Sequence, residues 1–254
     1  MAWRSAIFLS ILCLSCAGFA LGEDSNSARR LCVVVGAAGE PQYGEAFRTW
    51  AGRWRDASSG FEATWIDGTT DDQSPSGESV SGESASSESV SSHRDQVLQW
   101  IEQAQPSHRD HWLVLMGHGT HDAKSTRFNL KGPDLSATEL SKALEGKPGT
   151  WIVIVCASSS APFLQSISGP NRIVITATKS GSEENFSKFG DFVSKSLTES
   201  SADIDHDGAI SVLELFLAAS NRVQKHYDEQ GLLATEQALL DDNGDERGTP
   251  AVFY

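Results

Sequence analysis

Cysteine is scarce in this chain: four among 254 residues, two of which, Cys13 and Cys16, lie near the amino terminus. Apart from those two, at most one disulfide can form, between Cys32 and Cys156. Basic residues are also few, 20 against 34 acidic ones, for a net charge of −14 and a pI near 4.8. Such a balance repels phosphate backbones and excludes a nucleic-acid binder. It suits calcium or a basic substrate, and plain solubility equally. Nowhere is there an apolar run of the length and flanks of a membrane span. Core-forming residues are plentiful: 39% of the chain is hydrophobic, with 7 Trp and 11 Phe, which excludes wholesale disorder. At 27.3 kDa the chain suffices for one large domain or two small ones.

Residues 1–22 read as an export signal, with one charge at Arg4, an apolar stretch from Ala6, and small residues at Ala20 and Gly22. Lipidation at Cys16 is the competing expectation, although the preceding Cys-Leu-Ser is a poor lipobox. Cleavage after Gly22 leaves 19 basic and 34 acidic residues, a charge of −15, and no transmembrane span in the mature chain. Between residues 68 and 93 the composition shifts to Ser, Gly and Glu, with SGESV, SGESA and SSESV in succession. Nothing there can bury a core, so the segment reads as a flexible acidic surface loop.

Elsewhere, strand-like and helix-like segments alternate. Four short apolar runs, 31–35, 112–116, 151–155 and 173–177, lack the polar alternation of a half-exposed strand. They fit strands covered on both faces, as in a parallel sheet. Tyr43, Phe47, Trp50 and Trp54 recur at helical spacing, and Val97, Leu98 and Ile101 mark a second helix. Ser136 and Glu139 form a capping box ahead of Leu140 and Leu144, with Gly146 as the stop. Residues 62–66 are a further candidate strand. The expected architecture is an α/β sandwich of three layers with a mainly parallel sheet, followed by a helical segment over 201–254.

Two of the runs end in reactive residues. The run at 112–116 leads into Gly-His118-Gly119-Thr, and that at 151–155 into Cys156-Ala-Ser-Ser-Ser. In an open parallel sheet, ligands gather beyond the carboxyl ends of the strands, so consecutive strands would present His118 and Cys156 on one rim. An imidazole beside a thiol is suited to nucleophilic catalysis, and a glycine permits close backbone approach to an oxyanion. A buried cysteine with an ordinary loop histidine is the competing reading. His118 and His121 with Asp122 also have a metal-site spacing.

An apolar strand ending in His-Gly, followed 38 residues later by one ending in Cys, resembles the caspase–legumain superfamily of cysteine peptidases. Cys156-Ala157-Ser158-Ser159-Ser160 is similar to the Cys-Glu-Ser-Gly-Ser of legumains, and the resemblance spans about residues 30–197. It implies a caspase-like fold and an endopeptidase acting on peptide or protein substrates. Cys156 would be the nucleophile and His118 its proton handler, with the N–H groups of Gly119 and Cys156 holding the oxyanion. Val155 and Ser159 depart from the Ala and Gly of the legumain pattern. The superfamily includes catalytically silent members, so a calcium-stabilised binding module is the alternative. The basic residue that such peptidases use to receive an acidic or amide side chain has no counterpart in 36–47. Glu40 and Glu45, or Glu183 and Glu184, would suit a basic one instead, with solvated surface carboxylates as the competing reading.

Residues 203–214 read DIDHDGAISVLE. Asp203, Asp205 and Asp207 take positions one, three and five of an EF-hand calcium loop. Gly208 takes six, Ala209 offers its carbonyl at seven, Ser211 stands at nine and Glu214 closes at twelve. Phe186, Phe189, Val193 and Leu197 are expected to form the incoming helix, and Leu213 to Tyr227 the outgoing one. The run Asp241-Asp242-Asn243-Gly244-Asp245 imitates the first half of such a loop, but Val252 stands where the closing carboxylate should be, so an acidic turn is expected.

Overall fold

The computed structural model describes residues 28–69 and 91–254. The expected export signal at 1–22, with Cys16, and the acidic repeats lie outside the described residues. The elements run β1 (Arg29–Val35), α1 (Pro41–Ala57), β2 (Phe61–Asp67), α2 (His93–Glu102), β3 (Asp110–Met116), β4 (Gly119–His121), β5 (Thr126–Phe128) and β6 (Leu135–Ser136). There follow α3 (Ala137–Leu144), β7 (Thr150–Cys156), α4 (Ala161–Ile167), β8 (Arg172–Thr176), α5 (Phe189–Ser196), α6 (Val212–Glu229), β9 (Leu239–Asp241) and β10 (Thr249–Pro250).

The middle layer is a seven-stranded sheet in the order β10–β9–β8–β7–β3–β1–β2. Strands β2, β1, β3, β7 and β8 are mutually parallel, and β9 returns antiparallel to β8. The four apolar runs of the sequence are β1, β3, β7 and β8, and residues 62–66 lie within β2. Side chains alternate across the sheet, so each strand feeds two cores. Val33, Val114, Ile154 and Cys156 point into one shared with α1, α5 and α6. Cys32, Val34, Leu115 and Val155 point into the other, with α2, α3 and α4.

The helices follow from their local signals. Pro41 occupies the first turn of α1, where a missing N–H is harmless, and Phe47, Trp50 and Trp54 form its buried stripe. The Ser136–Glu139 capping box opens α3 as expected, and an identical Ser211–Glu214 box opens α6. Left-handed Gly231 ends α6, with the Leu232 N–H returning to the Tyr227 carbonyl at 3.0 Å. The carboxyl-terminal segment is integral to the sandwich: Leu215, Phe216 and Val223 of α6 share the core of β1, β3 and β7, while β9 and β10 extend the sheet.

One expected element is broken. The helix leading into 203–214 stops at Ser196, and a separate 3-10 turn, Ser200–Ala202, precedes the loop. The Phe186–Leu197 stripe therefore spans a loop residue and a helix rather than one continuous helix. Cys32 and Cys156 are free thiols on opposite faces of the sheet, which rules out a disulfide between them. Among the described residues no helix is long and apolar enough to cross a membrane.

Candidate functional site

The chain moves from β1 to β2 on one side and then crosses back to β3 on the other, so strand order reverses between β1 and β3. A crevice opens outside the strand ends at such a reversal. The turn after β1 and the turn after β3 meet there. Gly36 N–H donates to the Met116 carbonyl at 2.8 Å, and a Cβ at Gly36 would come within 2.5 Å of the Asn129 carbonyl oxygen, so only glycine fits. His118 stands at the mouth, half-buried, with Nε2 3.2 Å from the Ala38 carbonyl oxygen. The rings of Tyr43 and Phe47 meet it edge-on at 5.0 and 5.2 Å.

Cys156 ends the neighbouring strand, but its side chain points into the core with α1 and α5 and is only 1% exposed. A Cβ at Gly190 of α5 would lie 3.0 Å from the Cys156 Cβ and 2.6 Å from the Trp50 ring, which shows how tightly this side is closed. His118 and Cys156 make no hydrogen bond to each other. Burial, with a smaller contribution from the charge of Glu236, pushes the Cys156 thiol well above its ordinary range. Cys32, in the opposite core, is pushed up to about 12 by burial. The N–H of Gly119 donates to Ser158 Oγ at 3.3 Å, and Ser158 Oγ donates to the Gly119 carbonyl at 3.2 Å. Of the two expected oxyanion donors, Gly119 N–H is thus already paired.

After Cys156 the chain turns sharply. Ser159 adopts φ 52° and its buried hydroxyl has no partner, while Ser160 and Ala161 both donate their N–H to Thr178 Oγ1 at 2.8 and 3.1 Å. The segment between β8 and α5 then folds over the rim. The Glu183 carbonyl accepts Ser159 N–H at 2.8 Å, and its carboxylate accepts the N–H groups of Lys179 and Gln237 at 2.9 and 3.3 Å. Glu183 is therefore committed to the loop itself and not free to receive a basic substrate side chain.

Glu236 gave no signal in the sequence, where it reads as a surface acid. It is 3% exposed and accepts from Ser187 Oγ at 2.5 Å, Lys188 N–H at 2.7 Å, Phe189 N–H at 3.2 Å and Tyr227 OH at 3.3 Å. Burial raises its pKa and these hydrogen bonds oppose the rise. It ties the start of α5 to the end of α6.

The metal-site spacing of His118, His121 and Asp122 does not become a cluster among the described residues. His121 Nδ1 bonds Thr126 Oγ1 at 2.7 Å, and Asp122 pairs with Arg127 at 2.6 Å, so both face their own hairpin. The Asp241 run is the acidic turn expected, its carboxylate accepting from Gly244 N–H at 2.8 Å and Ser168 Oγ at 2.5 Å.

In 203–214, oxygen atoms of Asp203, Asp205 and Glu214 lie within 4.8 Å of one another, the only such trio of metal-capable side chains among the described residues. His206 and Gly208 are left-handed, at φ 61° and 89°, and the turn gathers the acids inward. Asp207 instead caps the loop, accepting Ala209 N–H at 2.8 Å. Burial works against the charge of Glu214, but hydrogen bonds from Ser211, Asp205 and Ile204 outweigh it and lower its pKa. Ala209 and Ser211, the remaining expected ligands, are both half-buried in the same loop.

No protein-family model matches this chain, and no curated protein matches it. Among solved structures it is similar to the Drosophila initiator caspase Dronc, with a TM-score of 0.53 at 10% identity over 88% of this chain and 82% of that one. Caspase-1 from Spodoptera frugiperda aligns at 11% identity over 89% of this chain and 94% of that one, with a TM-score of 0.48. The fold of this chain is therefore caspase-like, a mixed α/β sandwich around a mostly parallel sheet.

Proposed function

We propose that this chain is an exported, calcium-stabilised caspase-fold module that engages peptide at the rim of β1, β3 and β7 without cleaving it. The observation that carries this reading is the placement of Cys156, which is 1% exposed, faces the core and has no hydrogen bond to His118. A nucleophile must be a thiolate within reach of a carbonyl carbon. Here burial favours the thiol, and Gly119 N–H, one of the two amides expected to hold the oxyanion, is paired with Ser158. Calcium is supported by the three convergent carboxylates, which repel one another unless a cation is held between them. Asp203, Asp205 and Glu214 would bind it, and the ion would neutralise the loop and fasten the start of α6.

The second reading is a latent cysteine endopeptidase. Its support is that Cys156 ends β7 and His118 stands two residues beyond the end of adjacent β3, with the Gly117 N–H donating to the Cys156 carbonyl at 3.3 Å. The two readings separate with the mature protein, its Cys156→Ala variant, a fluorogenic peptide library and a thiol-directed peptide electrophile at neutral pH. The binding module gives no turnover in either protein and labels Cys156 only after denaturation. Turnover lost in Cys156→Ala would establish the peptidase.

A further inference from the structure

The crevice beside His118 is already filled by part of the same chain. Phe186, from the segment between β8 and α5, inserts its ring among four others. It stacks on Tyr43 at 4.6 Å and 27°, and lies 5.9 Å from Phe47, 5.8 Å from Trp50 and 6.0 Å from His118. The Lys188 ammonium sits 5.2 Å from the ring centroid, as a cation over an aromatic ring does.

The loop is also held by polar contacts on either side of this ring. It is fixed before Phe186 by Glu183 and after it by Ser187 and Lys188 on Glu236. Those contacts are backbone and polar, whereas Phe186 contributes only its ring. The pocket itself is built by other elements: Tyr43, Phe47 and Trp50 form one stripe of α1, and His118 is placed by β3. The stacking geometry and the nearby ammonium both match a flat aromatic group.

We propose that this cleft is a subsite for the aromatic side chain of a peptide, and that Phe186 is its internal occupant. The inference rests on the rim being where peptide binds and adds the class of side chain received there. An incoming Phe or Tyr would displace Phe186, stack on Tyr43 and lie against His118. The tethered ring competes with it, so the unaltered chain binds such peptides weakly.

The test uses the full mature chain in a Cys156→Ala background, so that no peptide is consumed, and titrates acetyl-Gly-Phe-Gly-amide and acetyl-Gly-Ala-Gly-amide by calorimetry. Phe186→Ala is expected to tighten binding of the Phe peptide by about tenfold or more, with no gain for the Ala peptide. Adding Tyr43→Ala should abolish that gain. Glu183→Ala, which loosens the loop but keeps the ring, should give a smaller gain of the same kind and serves if Phe186→Ala does not fold. Equal binding of both peptides, unchanged by these variants but weakened by His118→Ala, would overturn the aromatic subsite and leave the rim as a peptide site. Binding indifferent to His118→Ala as well, or no binding at all, would overturn both.

Discussion

At the amino end of β3, His111 is fully buried and stacks on Trp151 at 4.4 Å. Neither ring nitrogen has a well-formed hydrogen bond, and the nearby Pro148 carbonyl is taken by Trp151 Nε1 at 3.1 Å. Burial first, then the charges of Arg30 and His108, lowers its pKa from 6.5 to about 4. The native state thus refuses a proton that the unfolded chain accepts between those values. Stability from this residue is complete above pH 6.5 and is lost as pH falls toward 4, by about 2.5 kcal/mol at pH 4.5. His111→Phe keeps the stacking and removes the proton site. Urea unfolding at pH 7.5 and 4.5 should show the variant losing about 2.5 kcal/mol less than the parent, whereas parallel losses would acquit His111. Single residues were the hardest feature to read from sequence. His118 and Cys156 stand out in the sequence because each follows an apolar run, but a strand buried on both faces carries no alternation to reveal that Cys156 points inward. Glu236 and Phe186 take their roles from partners about 50 and 140 residues away, Tyr43 of α1 in the latter case, and no local pattern encodes that.

Elements were more legible where local chemistry decides them. The strands β1, β3, β7 and β8, the helix α1 and the capping box of α3 follow from apolar runs, period and cap residues within a few positions. The short strands β4, β5, β6, β9 and β10, at two or three residues each, exist because a neighbour offers them a ladder, and their sequences carry no strand period. In loop 203–214 the spaced acids and left-handed Gly208 of the sequence do gather three carboxylates into one turn. Glu214 is the third residue of the α6 capping box and, in the proposed calcium site, also the closing carboxylate. Glu214→Gln keeps the first, since Gln also serves at that position, and removes the charge needed for the second. With calcium at about a hundred times its Kd the parent should gain about 2.7 kcal/mol, a rise in Tm of roughly 5 to 10 °C reversed by chelator. Glu214→Gln should show little change without calcium and no rise with it. An unaltered calcium response in the variant would mean that this loop is not the site.

For the molecule as a whole, the sequence suggests a sandwich body ahead of residue 201, over most of which the peptidase resemblance runs, and a helical appendage over 201–254, a division that follows the motifs. Packing divides the chain differently. Ile210, Leu215, Phe216, Val223 and Leu240, all beyond residue 200, are 9% exposed or less and join the core that holds Val33, Val114 and Ile154. Fully burying a large aliphatic or aromatic side chain is worth roughly 1.5–3 kcal/mol, so these five contribute about 10 kcal/mol, comparable with the whole stability of a typical domain. Their removal also bares the inner faces of α5 and β8 and frees the groups that Glu236 holds at the start of α5. A chain ending at residue 200 should therefore lack a cooperative fold and bind hydrophobic dye. The full mature chain should unfold in urea in one transition, the same by tryptophan fluorescence and by far-ultraviolet circular dichroism. Two separate transitions, or a stable 23–200 fragment, would restore the appendage. A single transition would mean that an ion held at the head of α6, as proposed, stabilises the rim of β1, β3 and β7 as well, because the two could not unfold apart.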